Sequence, residues 1–87
     1  MNITQAPRGI NVVVETSEAV YIGRVGNIEG KRMEMHHAAV FPLAAGQSLE
    51  NVIRKTARFG VPVAHESIIF EAEGAVRIRR LGDVPKA

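Results

Sequence analysis

The stretch VVVETSEAVYIGRVGNIEGKRMEMHHAAV, residues 12–40, decides the fold of this chain. Two turn signals divide it: TSE at residues 16–18 is the first, and NIEG at residues 27–30 is the second. The three runs that remain are rich in β-branched and alternating apolar residues, a composition typical of strands. The stretch therefore predicts a three-stranded antiparallel meander.

The rest of the chain adds a helix and two strands to this meander. Apolar residues recur at helical spacing over residues 49–59, Ser48 is a suitable N-cap, and Gly60 and Pro62 follow as stop signals. Strands are predicted at residues 11–15, 19–27, 31–40, 67–71 and 75–81. The order β-β-β-α-β-β predicts a mainly β fold: a small, strongly bent five-stranded antiparallel barrel with one short helix between strands three and four.

Gly23 lies in the middle of predicted strand two, and residues of both parities around it are apolar. Two apolar faces are expected for a strand in a closed barrel or beside a partner chain. A glycine inside a strand usually marks a bend or a close approach of another backbone. We therefore expect a sharp bend at Gly23. In strand five the alternation predicts two residues pointing inward, Val76 and Ile78, and two pointing outward, Arg77 and Arg79.

The length of 87 residues predicts one domain at residues 11–87, preceded by a flexible N-terminal arm at residues 1–10. A domain this small buries a thin core, and without cysteine no disulfide can reinforce it. Oligomerisation is the remaining means of stabilisation. Neither a signal peptide nor a membrane-spanning run is recognisable, so we expect a soluble, cytoplasmic protein without a membrane partner.

The first three strands resemble the first signature of the Sm-like family. That signature has an aromatic residue, a glycine two positions on and an aliphatic residue two further, then an acidic turn residue and alternating apolar residues that lead to an alanine. Here those places are taken by Tyr21, Gly23, Val25, Glu29, Met33, Met35 and Ala38. The second half is similar to the second signature in outline, with Ile68, Ile69 and Phe70, a tight turn, and then Val76 and Ile78. The resemblance implies ring-forming subunits, which join strand four of one to strand five of the next, and RNA as a partner.

Three departures from the family pattern weaken the implied RNA site. The turn after strand two lacks the family's asparagine, and residues 71–74 read EAEG, acidic where the family is basic. Carboxylates repel phosphate, so the base-reading pocket is expected to be absent. The family also places its helix before strand one. A looser likeness links the chain to small uncharacterised phage-associated proteins.

Basic residues are the candidate contacts to RNA or another polyanion. The formal net charge is only +2, and few aromatic residues are present to stack on bases. The alternative interpretation of these residues is an ordinary solvated surface. The candidates are Arg77, Arg79 and Arg80 in strand five, Arg54, Lys55 and Arg58 in the helix, and Lys31 and Arg32 at the second turn.

Strands four and five carry more apolar residues than one face can hide. Because neighbours on a strand point to opposite faces, either Ile69 or the pair Ile68 and Phe70 is expected to be exposed in a single chain. Exposed apolar edge strands pair readily with another chain. We therefore predict a homo-oligomer held by edge pairing of these two strands, with an interface that includes Ile68, Ile69, Phe70, Val76 and Ile78.

No pattern in the chain indicates catalysis, and we expect neither a cofactor nor a catalytic residue. His36 and His37 are adjacent on a predicted strand and point to opposite faces, so they cannot easily chelate one ion, although His65 is a conceivable third ligand. The prediction is no metal site. Two functions stay open: a non-catalytic Sm-like ring that binds RNA or another polyanion, or a structural protein of a phage-type or other assembly that binds no nucleic acid.

Overall fold

Five antiparallel strands and one helix make up the fold, in a computed structural model that describes residues 5–43, 49–72 and 74–86. The predicted mainly β class and the order β-β-β-α-β-β are confirmed. The elements are β1 (Asn11–Glu15), β2 (Ala19–Glu29), β3 (Arg32–Pro42), α1 (Glu50–Phe59), β4 (His65–Glu71) and β5 (Arg77–Arg80), followed by a short 3₁₀ helix (Leu81–Asp83).

Both predicted turns of the meander are present, and local chemistry explains each. The Thr16 hydroxyl accepts hydrogen bonds from the backbone N–H groups of Glu18 and Ala19, at 3.2 and 3.1 Å, and donates to the Ala19 carbonyl at 2.9 Å. A side chain that satisfies the backbone in this way favours a turn over continued strand. At the second turn Gly30 has φ 57°, which glycine adopts without steric cost.

The strands form one sheet in the order β4-β3-β2-β1-β5, so β4 and β5 are its two edge strands. The meander β1-β2-β3 occupies the centre, as predicted. After α1 the chain adds β4 beside β3, and β5 then pairs with β1 on the opposite side. All of these strand pairs are antiparallel.

The pairing of β2 with β3 is interrupted twice, and the first interruption lies at Gly23. Ile22 pairs with Ala39, but Arg24 pairs with His36, so β3 contains one more residue than β2 between these two pairs. His37, inside this bulge, has φ 50°, which is uncommon for a residue other than glycine. Bulges bend a strand and increase its twist.

The interior of this bulge leaves no space for a side chain at Gly23. A Cβ atom there would lie 2.7 Å from the Met35 Cγ atom and 2.9 Å from both the Ala38 Cα and the His36 carbonyl oxygen. The predicted close approach of backbone at Gly23 is therefore present. It explains why the sequence has glycine in the middle of an eleven-residue strand.

The sheet separates two apolar clusters. The first includes Val12, Met33 and Met35 together with Phe70 of β4 and Ile78 of β5. Since β4 and β5 are opposite ends of the strand order, the sheet must curve for both to reach one cluster. The second cluster lies between the other face and α1, and comprises Val13, Val20, Ile22, Leu49, Ile53, Leu81 and Val84.

Helix α1 forms where its apolar spacing predicts. Ile53 is buried in the second cluster, and Gly60, with φ 96°, ends the helix while its N–H donates to the Thr56 carbonyl at 2.9 Å. The predicted N-cap, Ser48, lies outside the described residues. A helix of ten residues is marginal by itself, so its packing against the sheet stabilises it.

One prediction needs correction. Val76 was predicted to point inward as part of strand five, but it precedes β5 and is 75% exposed. The Ala75 N–H donates to the Ala72 carbonyl at 3.1 Å and the Val76 N–H donates to the Glu15 carbonyl of β1 at 2.6 Å, so the backbone joins β1 here while the Val76 side chain faces solvent. Within the segment predicted as an N-terminal arm, Ala6 is buried in the first cluster and Arg8 forms a parallel bridge with Val25.

No helix within the described ranges has the length and apolar character that crossing a membrane would require.

Candidate functional site

The arginines of β5 are joined to carboxylates of the same chain. The Arg77 Nε atom lies 2.6 Å from Glu15 Oε2, and its terminal nitrogen lies 3.2 Å from both Glu15 Oε1 and Glu50 Oε1. Arg77 and Glu15 face each other because β1 and β5 pair in that register. Glu15 raises the pKa of Arg77 above its ordinary value, chiefly through its hydrogen bond.

Arg79 is the more enclosed member of this group. A terminal nitrogen of Arg79 donates to Glu50 Oε1 at 2.7 Å, and its Nε atom lies 3.4 Å from Glu15 Oε2. Only 18% of its side chain is exposed, and the buried Nε atom makes no hydrogen bond to the described residues. The hydrogen bond from Arg79 is the main reason that the pKa of Glu50 lies below its ordinary value.

Glu50 therefore connects the first turn of α1 to β5. Arg54, one turn along the helix, also approaches its carboxylate, with Nε 3.4 Å from Oε2. Three arginines thus share two carboxylates, and we call the group Glu15, Glu50, Arg54, Arg77 and Arg79 the ion-pair network. The network connects α1 to β1 and β5, and its net charge is only +1.

The remaining predicted cations do not join the network into one basic surface. Arg80 is paired with Asp83, with Nε 2.8 Å from Oδ2. Arg32 lies at the β2–β3 turn and is opposite Glu29 on one strand and Glu71 on the other. Lys31 belongs to the same turn, whereas Lys55 and Arg58 are exposed on α1. The eight candidates for polyanion contact are therefore dispersed, and Arg54, Arg77, Arg79 and Arg80 among them pair with carboxylates.

The predicted interface residues divide into core and surface. Phe70 is buried and stacks on Tyr21, with the ring centroids 3.8 Å apart, and Ile78 is buried in the same cluster. Ile69 points the other way and is 64% exposed, and Val76 is 75% exposed. Ile68 is partly buried against the first cluster. The sequence left open which parity of β4 is exposed, and the structure assigns exposure to Ile69.

The two sheet edges also differ in charge. Strand β4, HESIIFE, carries Glu66 and Glu71 and neither lysine nor arginine, whereas β5 reads RIRR. The exposed side chains of β4 are thus acidic around Ile69, and those of β5 are basic next to Val76. An edge strand that carries two carboxylates and an edge strand of arginines that are paired within the chain therefore lie at opposite ends of one sheet.

The three histidines lie at separate positions of β3 and β4. His36 Nε2 lies 3.2 Å from Glu34 Oε1, His37 is in the β3 bulge, and His65 begins β4 opposite Ala38. In the part of the chain that the structure describes, no three histidine, cysteine, aspartate or glutamate residues are close enough to hold an ion.

Sequence reasoning missed the roles of Glu15 and Glu50. Glu15 is the last residue of β1 and Glu50 is the first residue of α1, and neither position by itself indicates a partner on β5. The signal for their role was the excess of arginines in strand five, which required partners once that strand paired with β1.

Comparison with known proteins adds no relative: no family model, no curated protein and no solved structure matches this chain.

Proposed function

We propose that this chain is a divergent Sm-like, non-catalytic module that assembles with copies of itself, with β4 of one copy adding to β5 of the next. The observation that carries the proposal is the pair of edge strands, each of which pairs with one strand among the described residues and has a large exposed apolar residue on it or beside it. An edge strand exposes backbone N–H and C=O groups that another chain can satisfy. Ile69, 64% exposed, and Val76, 75% exposed, are the apolar residues next to these groups.

Charge supports pairing of unlike edges over pairing of like edges. Two β4 edges would bring Glu66 and Glu71 of both copies together, whereas in a β4–β5 contact these carboxylates face arginines that are already paired within their own chain. Opposite charges across a strand pair stabilise it, and like charges destabilise it. A head-to-tail contact of this kind closes into a ring if the rotation allows, and otherwise extends into a filament.

Likeness to the Sm-like pattern in two further features supports the family part of the proposal. Gly23 of the second strand faces a crowded bulge of β3, and the helix-free meander β1-β2-β3 extends from Asn11 to Pro42. Phe70 and Ile78, two apolar positions of the second signature, are core residues of the curved sheet.

The geometry favours a structural assembly over one that binds RNA or another polyanion. Arg77 and Arg79 are held by Glu15 and Glu50, and Arg80 is held by Asp83. A phosphate would have to displace these carboxylates, which oppose its approach by like-charge repulsion. We therefore propose that the function of this protein is to form the assembly, and not to bind nucleic acid.

The experiment that tests the proposal is the molecular mass in solution of the unmutated protein and of Ile69→Lys, measured by light scattering at tens of micromolar. We expect a mass of several chains for the unmutated protein and a single-chain mass for Ile69→Lys, because a lysine on an edge strand opposes pairing. Ile10→Lys is the matched control, since Ile10 is also an exposed isoleucine, at 43%, and lies outside β4 and β5. A single-chain mass for the unmutated protein would contradict the proposal.

A further inference from the structure

The ion-pair network carries one more positive charge than negative charge, because three arginines share two carboxylates. Arg77 is the member with capacity for another partner. It binds Glu15 and Glu50 through Nε and one terminal nitrogen, and its other terminal nitrogen has no hydrogen bond to the described residues. A guanidinium has five N–H donors, so two of those of Arg77 are still open. The side chain is 51% exposed, which leaves these donors accessible to an acceptor from outside the chain.

Glu71 is a suitable acceptor at the opposite edge of the sheet. It is the last residue of β4, it is exposed, and it forms no ion pair with any described residue, including its cross-strand neighbour Arg32. Glu66, the other carboxylate of β4, is five residues away and therefore points to the opposite face of the strand. Of these two carboxylates, only Glu71 shares a face with the exposed Ile69.

The two faces of each edge strand are covered differently. In β5, Ile78 is buried in the first cluster, whereas Arg77 and Arg79 point to the other face, where the first turn of α1 binds them. In β4, Phe70 points to the first cluster and Ile69 points away from it. Both strands therefore have one face turned to a core and one face turned away from it.

Directly opposite residues of two paired strands lie on the same face of the sheet. A β4–β5 contact can therefore place Phe70 of the next copy beside either Ile78 or the arginines. Beside the arginines, the core of the next copy would lie on the side that α1 occupies, and an aromatic core residue would face charged groups. Beside Ile78, apolar residues meet on one face, α1 stays on the other, and Glu71 lies on the face of Arg77. The second arrangement is favoured because it buries apolar surface and leaves α1 in place.

Within this arrangement the charges select the register. With Glu71 of the next copy opposite Arg77, antiparallel pairing fixes two further pairs. These pairs are Phe70 with Ile78 and Ile69 with Arg79. The first is an apolar pair, and in the second the aliphatic part of an arginine covers an exposed isoleucine. A shift by two residues would place Glu71 opposite Ala75 and remove its counter-ion.

On the basis of the self-assembly proposed above, we propose that Glu71 of one copy completes the ion-pair network of the next by binding Arg77 across the β4–β5 contact. The added carboxylate balances the excess charge of the network, and its oxygens accept hydrogen bonds from the open donors of Arg77. The contact is thereby held in one register, and its strength depends on salt.

Sedimentation equilibrium compares the association constants of the unmutated protein, Glu71→Gln and Glu66→Gln. We expect Glu71→Gln to weaken association about two- to fivefold, the effect of losing one partly exposed ion pair. The loss should disappear at about 1 M salt, which screens such a pair. Glu66→Gln is the matched control, since it removes the same charge from the other face of the same strand, and it should change the association constant by less than about twofold.

The register is tested by disulfide formation between single-cysteine variants of this cysteine-free chain. Ile69→Cys is mixed with Arg79→Cys, with Arg77→Cys or with Val76→Cys and then oxidised. Opposite Cβ atoms are about 5 Å apart, and each further residue along the strand adds about 3.3 Å. We expect a disulfide mainly with Arg79→Cys. Glu71→Cys with Arg77→Cys is a second pair in the same register, and it keeps Arg79 in place if Arg79→Cys folds poorly.

Two kinds of result would overturn the proposal while the unmutated protein still self-associates. The first is an association constant that Glu71→Gln leaves unchanged, or that Glu66→Gln lowers equally. The second is a disulfide of Ile69→Cys mainly with Arg77→Cys or Val76→Cys, which would show another register. A single-chain mass for the unmutated protein would instead contradict the self-assembly itself, and with it this contact.

Discussion

Replacement of Gly23 by alanine should destabilise the fold strongly for a change of one methyl group. The added Cβ would lie 2.7 Å from the Cγ atom of Met35, whose side chain is fully buried, and 2.9 Å from backbone atoms of His36 and Ala38. Two of these three neighbours are backbone, so the methyl group fits only if the β3 bulge moves. Overpacking of this kind typically costs about 1–3 kcal/mol.

An opposing effect must be subtracted from this cost. Alanine restricts the unfolded chain more than glycine, which stabilises the folded state by about 0.4–1 kcal/mol where the backbone conformation is unstrained. The expected net loss for Gly23→Ala is therefore about 1–2 kcal/mol, and Gly23→Val should lose about 2 kcal/mol or more. In a domain of this size, each kcal/mol corresponds to a fall in Tm of about 4–8 °C.

Two other glycines are matched controls, and urea unfolding together with the Tm is the assay. At Gly26 an added Cβ would meet the ends of the His36 and Glu34 side chains, which can move away, so Gly26→Ala should cost much less. At Gly82 it would meet no atom within 4 Å, so Gly82→Ala should be neutral or stabilising. A Gly23→Ala protein as stable as the unmutated one, or a Gly26→Ala protein that is equally destabilised, would refute the reasoning.

The remaining predictions concern the ion-pair network and the partition of β4. Glu50→Gln should lower the free energy of unfolding at neutral pH by about 1 kcal/mol, the upper end for a partly exposed ion pair, as measured by urea unfolding. The pKa of Glu50 in the folded state lies below its ordinary value of 4.5. Its contribution to the free energy of unfolding should therefore be present above that pH and be lost as the pH falls below it. The same pH dependence of stability in Glu50→Gln and in the unmutated protein would contradict this. Phe70→Ala should cost about 3–5 kcal/mol because the ring is buried against Tyr21, whereas Ile69→Ala, at its exposed neighbour, should change the stability of the single chain by about 0.5 kcal/mol or less. Equal losses of stability for Phe70→Ala and Ile69→Ala would contradict the burial of Phe70 and the exposure of Ile69.

Much of the fold was predictable because its signals are local. The hydroxyl of Thr16 stabilises the first turn through bonds within four residues. The apolar spacing that predicts α1 extends over ten residues. A glycine inside a strand, as at Gly23, indicates crowding even when the neighbouring strand is not known. The meander and the helix therefore follow from short stretches of sequence.

The features that the sequence did not predict depend on contacts between distant segments. Glu15 and Arg77 meet across 62 residues of sequence, and nothing near either residue indicates that β5 pairs with β1. The burial of Ala6 likewise depends on Val25 and the curved sheet. Alternation in β4 predicted that one parity is exposed but not which one, because both Ile69 and its neighbours are apolar. Packing of Phe70 on Tyr21 buries Phe70 and leaves Ile69 on the exposed face of β4.

Cross-linking of single-cysteine variants tests the assembly most directly, because the chain has no cysteine of its own. Ile69→Cys places a thiol on the exposed face of β4, and Val76→Cys places one beside β5. We predict that a short bismaleimide joins chains in a mixture of the two variants far more than in either variant alone. No cross-linked product in the mixture, or as much product from Ile69→Cys alone, would contradict pairing of β4 with β5.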